Sequence, residues 1–405
     1  MDKQVLEVVL KNLAKESRIA TILDVEAIPA LPKGENYTST ILRVTVKVVL
    51  GNGRKAKKYF IMKQMFTEGK SGEFIKEQNV AKTESHILSV VHKEMSYLME
   101  EFEDTDEPLW CNFVHYDPIL SCILLEDLKA SGYSCVPRQE NLDLDHAILA
   151  LRALGKYHGM AKVLEQRGVI SKDEYKPYPL VDNLALIKCC SYAGVLHASK
   201  VIKNSWGPSW EQTAKKLMIP FDSFVEKFRS IGNIHIQESE FTCLNHGDCW
   251  SNNMMFKYDF QKRPIAVKFL DFQIPHHNTP CIDVTYLLYL GIKPAIRRSS
   301  YQLLLKTYYD SLVRTLDQFG FADSKPTFEA ISATMKRLEF LGLVFFVVLY
   351  PVMACSSTEA FDFAKLLMTD GKEGFNEDVL REPEMVEKLG PDIIQFVEKH
   401  VPSLY

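Results

Sequence analysis

The sequence predicts an α+β protein in two lobes, β-rich at the amino end and mostly α-helical at the carboxyl end. Three observations carry this. Between Leu42 and Met65 apolar and polar residues alternate at period two on both sides of a Gly51-Asn52-Gly53 turn, the pattern of a half-buried hairpin. From Asp143 onward the period lengthens to that of a helix for nearly all of the remaining chain. With 405 residues the chain is also longer than one hydrophobic core ordinarily organises, so lobes spanning 1–127 and 128–405 are expected.

Taken in order, Val5, Leu6, Val9, Leu10 and Leu13 recur at helical spacing and open the chain with an amphipathic helix. Residues 31–39 are rich in turn formers. In the strand that follows, Leu42, Val44, Val46 and Val48 point one way and Arg43, Thr45 and Lys47 the other. Beyond the glycine turn the returning strand covers 59–65. A charged helical stretch covers about 74–101, and two short strands, 110–116 and 119–125, close the lobe. After Glu126-Asp127-Leu128 the character changes. Residues 143–164 are helical, and 183–228 show no strand pattern. Strands return only at 254–258 and 264–270, and from Asp283 the chain is again helical. No internal repeat or low-complexity segment interrupts it.

Hydrophobic residues at 46% and charged residues at 25% are ordinary for a globular chain, and the formal charge of -4 gives no reason to expect a nucleic-acid partner. The basic cluster Arg54-Lys55-Ala56-Lys57-Lys58 sits beside the glycine turn and reads as a solvated hairpin end. Nine cysteines without any C-x-x-C spacing suggest reduced thiols rather than a disulfide framework or a zinc site. The first residues are charged and lack a secretory apolar core. The longest uncharged apolar run, 340–354, contains Pro351 and falls short of the roughly twenty residues a bilayer needs, so it reads as a buried helix. A cytoplasmic protein with no membrane partner is expected.

His246-Gly247-Asp248 is followed by Asn253, and an apolar strand-like run then ends on Asp271. Phosphoryl transfer from ATP needs this set. One carboxylate orients the attacking hydroxyl and accepts its proton, while an amide and a second carboxylate hold magnesium against the phosphates. An isolated aspartate at this place would be a helix cap; the step to Asn253 and the later Asp271 give Asp248 the other role. Asp248 is therefore the candidate catalytic residue. Asn253 and Asp271 offer oxygen to a hard cation shared with phosphate. His246 is assigned a structural part, since the carboxylate already serves as base. Lys63, mid-strand with Ile61 and Met65, is placed to reach the α- and β-phosphates, and such a lysine requires a carboxylate on the next helix. Glu94 is chosen, with Glu77 and Glu84 as competitors. Gly34, Asn36 and Ser39 lie where a phosphate-covering loop belongs. The implied cofactors are ATP and Mg2+.

Three look-alikes are set aside. Gly69-Lys70-Ser71 ends like a phosphate-binding loop, but Gln64 stands where its first glycine should be. Gly51-Asn52-Gly53 lacks the third glycine of a dinucleotide fingerprint and lies between strands. His276-His277 has no ligand set at fitting spacing and reads as a loop.

The same stretch speaks to the acceptor. Gly247 stands where protein kinases carry arginine, only 272–282 separate Asp271 from Asp283, and Gln273 replaces the glycine of the kinase switch. That leaves little room for a peptide platform, so a small molecule bearing a hydroxyl is expected. Trp206, Trp210, Trp250 and Tyr286 are candidates for its apolar wall, with plain core the competing reading.

At these residues the chain resembles the aminoglycoside phosphotransferase and choline kinase superfamily, whose fold is protein-kinase-like and bilobal. More closely it resembles the ecdysteroid kinase-like (CHK kinase-like) branch. The resemblance runs through Gly34-Glu35-Asn36-Tyr37-Thr38-Ser39, Leu124-Leu125-Glu126-Asp127-Leu128 and Leu154-Gly155-Lys156-Tyr157-His158-Gly159. It continues over His246-Gly247-Asp248 to Asn253 and ends on Leu270-Asp271-Phe272-Gln273, covering nearly the whole chain. It implies Asp248 as catalytic base, Asn253 and Asp271 as magnesium ligands and Lys63 as an ATP contact. It also implies a hinge at Leu125, Glu126 and Leu128 that offers backbone groups to adenine. The first lobe would bind nucleotide, and the second would carry catalysis and an acceptor such as an ecdysteroid or xenobiotic alcohol. A choline or ethanolamine kinase is the alternative enzyme. A nucleotide-binding pseudokinase is the non-enzyme alternative, disfavoured because Lys63, Asp248, Asn253 and Asp271 are all present.

Overall fold

A computed structural model of the chain describes residues 9–10, 19–30, 39–66, 72–73, 76, 79–175, 178–232, 240–355, 357 and 360–404. The opening helix read from Val5 to Leu13 falls largely outside these residues, as do Gly34, Asn36, Glu77 and Gly69-Lys70-Ser71. Of that helix Val9 and Leu10 are described, both helical.

The chain divides into two compact units, one of Met1–His92 with Trp110–Ser134, the other of Lys93–Leu109 with Cys135–Tyr405. The boundary expected after residue 127 thus falls after Ser134, and 93–109 leave the first unit. Their bonds explain why. Phe269 N–H donates to the Leu109 carbonyl at 2.7 Å, and Lys268 Nζ donates to Pro108 O at 2.6 Å. Lys156 is also paired with Asp104 and Asp106, each at 2.6 Å.

The first unit is built on a five-stranded antiparallel sheet in the order β1-β2-β3-β5-β4. Its strands are β1 (Ile19–Pro29), β2 (Ser39–Leu50), β3 (Lys55–Met65), β4 (Phe113–Asp117) and β5 (Cys122–Glu126); the two-residue β6 (Tyr133–Ser134) follows outside this sheet. As the alternation predicts, Val44, Val46 and Val48 face inward, where they meet Ile19, Ile22, Met62 and Leu124. The edge strand β1 was not foreseen. Its register on β2 slips between Ile19 and Thr21 and again between Ile22 and Asp24, which breaks the period-two signal. Helix α1 (Val80–His86) and a π-helical turn, Ile87–Val91, complete the part used below.

In the second unit α2 (Leu144–Gln166) begins at the cap Asp143, whose carboxylate accepts the His146 N–H. It lies close against α4 (Pro294–Gln318), which follows the shorter α3 (Cys281–Tyr286). The two glycines of Leu154-Gly155-Lys156-Tyr157-His158-Gly159 permit this approach. A Cβ on Gly155 would sit 2.6 Å from the Tyr308 carbonyl, and one on Gly159 2.7 Å from the Thr315 side chain. Helices α5 (Phe328–Arg337) and α6 (Glu339–Ala354) are bent by 50° at their junction, and α6 is buried along nearly its whole length. Among the described residues no single helix is long and apolar enough to cross a membrane.

Two antiparallel ribbons carry the site: β7 (Cys243–Asn245) with β10 (His276–Asn278), and β8 (Met254–Tyr258) with β9 (Pro264–Phe269). The loop reading of His276-His277 is corrected here, because His276 pairs with Asn245 and His277 with Leu244. A three-residue ribbon is too short to show a period. All nine cysteines are unbridged thiols, and Cys135 is the exposed one. The α+β class and the split into a sheet-bearing and a mostly helical part are as predicted.

Candidate active site

His246-Gly247-Asp248 forms the turn that leaves β7. Gly247 has φ +89°, and a Cβ there would collide with the Ile274 carbonyl oxygen. An arginine at this position is excluded by the backbone itself. His246 is fully buried with both ring nitrogens engaged. Nε2–H donates to the Leu270 carbonyl at 2.9 Å, and Nδ1 accepts the Asp248 N–H at 3.2 Å. These bonds assign the neutral tautomer, and burial holds the imidazole below its ordinary pKa despite nearby carboxylates. With no nitrogen left for a substrate, His246 is a brace between the two halves of the motif.

The anchor of the turn is Asp283, on α3. Its carboxylate, 0% exposed, accepts the N–H of His246 at 2.6 Å and of Gly247 at 2.9 Å, and meets His158 Nε2 at 3.1 Å. His158 Nδ1 is 2.9 Å from the Tyr308 hydroxyl, so the close α2–α4 packing is what delivers this histidine. Burial alone would raise the Asp283 pKa. The His158 hydrogen bond and charge, with His276 and His246 beside it, outweigh that and hold the carboxyl below its ordinary range. Tyr178 closes the other side, donating its O–H to the Gly247 carbonyl at 2.9 Å and stacking on His276 at 4.2 Å.

Asp248 is half-buried and fixed from its own loop. Asn253 Nδ2 donates to the Asp248 carbonyl at 2.9 Å and to its Oδ2 at 2.8 Å. Asn253 ends a 3-10 turn, Ser251–Asn253, at the head of β8. The β8–β9 register sets Met254 opposite Phe269, and Leu270 N–H donates to the Asn253 carbonyl at 2.9 Å. Asn253 is thereby brought beside the segment that bears Asp271. Asp271 adopts φ +69°, uncommon for a residue with a side chain, and accepts a hydrogen bond from Gln273 Nε2. The donor set fits magnesium. With Nδ2 committed to Asp248, Asn253 has its side-chain Oδ1 left for a cation, and Asp271 adds a carboxylate; both are hard oxygen ligands.

In the first unit Lys63 Nζ, on β3 between Ile41 of β2 and Ile123 of β5, donates to Glu84 Oε1 on α1 at 2.9 Å and forms an ion pair with its Oε2 at 2.8 Å. The partner is thus Glu84 and not Glu94, the residue chosen from the sequence. Lys63 and Glu84 are 4% and 1% exposed, and a buried ammonium demands a buried counter-charge. Glu94 is half-buried on the later helix His92–Glu101. Ser39 opens β2 opposite Met65. Leu125 ends buried on β5 against Ile61 and Phe113, and Leu128 is buried beyond it. The Glu126 side chain braces its own segment, accepting from Asn112 and from the Ser131 hydroxyl. Its N–H is committed to the Asn112 carbonyl, while the Leu128 carbonyl accepts from Ser131 and Tyr133.

Sequence reasoning missed Asp283, Tyr178 and the pairing role of His158. Asp283 had a usable signal, because a carboxylate inside the apolar run Ile282 to Leu288 must be buried and therefore bonded. Of the four candidate wall residues, Trp206 donates its indole N–H to the Leu380 carbonyl and packs edge-on against Trp210, so both serve the helical core. Trp250 is half-buried beside the loop, and Tyr286 is buried on α3, where burial first and then the Asp248 charge hold its phenol well above the ordinary pKa.

The sequence profile of the ecdysteroid kinase-like family matches residues 33–321. No curated protein matches the chain. Among solved structures, an ethanolamine kinase of Plasmodium vivax is similar at 10% identity and a TM-score of 0.42, over 86% of this chain and 80% of that one. An amicoumacin kinase in complex with AMP-PNP and Ca2+ is similar at 13% and 0.43, over 98% and 97%. A microcompartment-associated aminopropanol kinase is similar at 11% and 0.43, over 99% of both chains.

Proposed function

The chain belongs to the ecdysteroid kinase-like family, a family of kinase-like phosphotransferases, and from that premise we propose an ATP- and Mg2+-dependent enzyme. It would phosphorylate a hydroxyl of a small lipophilic acceptor such as an ecdysteroid or xenobiotic alcohol. The observation that carries the reading is the Asp248–Asn253 pair, a carboxylate oriented by an amide whose oxygen remains for a cation, with Asp271 brought alongside by the hairpin.

In this reading the acceptor O–H donates to Asp248. As the acceptor oxygen bonds to the γ-phosphorus, the bond to the β–γ bridging oxygen breaks, ADP leaves, and the hydroxyl proton passes to the Asp248 carboxylate. Asn253 and Asp271 hold magnesium, whose chemistry is to neutralise charge on the phosphates. Lys63, oriented by Glu84, steadies the α- and β-phosphates. Asp283 and His246 take no proton in turnover; they keep the loop in shape before the substrate arrives.

An acceptor screen with labelled ATP and Mg2+ tests the proposal, using ecdysteroids, plant glycosides, choline and ethanolamine. Label is expected on an ecdysteroid or another lipophilic alcohol. Label on choline or ethanolamine alone overturns the acceptor class. ATP binding without a labelled product anywhere overturns the enzyme in favour of a nucleotide-binding pseudokinase.

A further inference from the structure

The face of α2 that bears Gly155, His158 and Gly159 is taken up by α4 and by Asp283. Another stripe of the same helix, Asp145, Ile148, Leu149 and Arg152, recurs at i, i+3, i+4 and i+7 and borders a groove against the β8–β9 hairpin. The groove encloses about 320 Å³, and Pro264 and Ile265 of β9 form its other wall. Much of its apolar surface is open to water. Ile148 and Leu149 are only half-buried, and Ile265 is 54% exposed. Phe260, next to the groove residue Asp259 in the hairpin turn, is 92% exposed.

The charges on the rim select an occupant. On the hairpin side Asp259 and Arg263 satisfy each other at 2.8 Å. On the helix side Asp145 and Arg152 are both exposed, and among the described residues neither side chain has an ion-pair partner. Seven residues apart, they lie roughly 10 Å from each other along the helix, too far to pair. They carry opposite signs at opposite ends of the apolar stripe. Such a surface is complementary to its own reversed image. A twofold axis passing by Ile148 and Leu149 sets a second α2 antiparallel to the first, and brings Asp145 of each copy to Arg152 of the other. We propose that this face is where two copies of the chain pair, the Phe260 ring of each entering the groove of the other. One contact then forms two ion pairs and covers the apolar stripe and both rings. A small ligand or an unrelated protein has no reason to match a charge pattern that reverses along one helix. The patch is small, a single helix stripe and a hairpin turn from each copy, so the pairing is reversible at micromolar concentration.

Sedimentation velocity of the full chain from about 1 to 100 µM tests the pairing. The parent should pass from monomer to dimer within that range. Arg152→Asp sets like charges against each other, and Phe260→Ser removes the ring; each should raise the dissociation constant about tenfold or more. Asp145→Arg combined with Arg152→Asp exchanges the two charges and should bring the constant back to within about threefold of the parent. That rescue can arise only between copies, because within one helix the two side chains do not meet. All three side chains are exposed, so the circular dichroism of the variants should match the parent and separate lost pairing from lost fold. A parent that stays monomeric throughout overturns the proposal and leaves the groove to a different chain. A dimer that survives both single changes, or a charge exchange that restores nothing, overturns it as well.

Discussion

Asp283 and His276 are both fully buried, and each is held in its less costly state by different means. Asp283 stays ionised because two backbone N–H groups and His158 replace water around its carboxylate. Among the described residues the His276 ring has only the Ile274 carbonyl, 3.4 Å from Nδ1. Burial first, only partly offset by Asp283, pushes its pKa from the ordinary 6.5 down to about 4, so the ring stays neutral under Tyr178. The consequences for stability share one sign. Each group has a lower pKa folded than unfolded, so the unfolded chain binds more protons as pH falls. For His276 the stability present at neutral pH is lost between about pH 6.5 and 4, in total roughly 3 kcal/mol. Asp283 adds a loss beginning near the ordinary carboxylate range and continuing below it. Urea unfolding between pH 7 and 4.5 should show a falling midpoint, and His276→Phe, which keeps the stack, should flatten that fall. A midpoint equally steep in both proteins would remove His276 from the account.

At the level of elements, the choice between Glu84 and Glu94 decides which helix serves Lys63. Glu84→Ala leaves a buried ammonium without its counter-charge and should cost roughly 3–5 kcal/mol, with a raised KM for ATP. Glu94→Ala should change stability by less than about 1 kcal/mol. Thermal shift and ATP titration of the two variants check this, and equal losses would contradict the pairing. The same pair shows what the sequence can and cannot reveal. That Lys63 needs a carboxylate follows from its place in a strand otherwise facing the core. Which carboxylate does not follow, since Glu84 and Glu94 both lie in one charged helical stretch and the π-turn Ile87–Val91 shifts the helix phase between them. Likewise the β2–β3 hairpin and the β8–β9 hairpin were legible from alternation and turn residues. Strand β1 was hidden by two register slips, and the β7–β10 ribbon by its length. Asp248, Asn253 and Asp271 were legible because chemistry fixes their spacing. Asp283 and Tyr178 serve the loop from remote segments and carry no local pattern.

At the scale of the whole chain, the parts that phosphoryl transfer calls for are divided between the two units. The first carries the Lys63–Glu84 pair on its sheet and α1. The second carries the loop, the hairpin and a buried scaffold from α2, α3 and α4. In that second unit Asp283, Tyr178, Asn253 and the His246 ring all hold one turn, His246 to Asp248, rather than add reactive groups. Such preorganisation is where the catalytic advantage of a phosphotransferase lies, because little covalent chemistry is asked of the protein. The claim that ties these parts together is that Asp248 is the group against which the acceptor hydroxyl reacts. The turnover of Asp248→Ala on an established acceptor, at saturating ATP and Mg2+, tests it most directly. A fall in kcat of roughly 10²-fold or more is predicted, with the KM for ATP little changed; turnover close to that of the parent would contradict it.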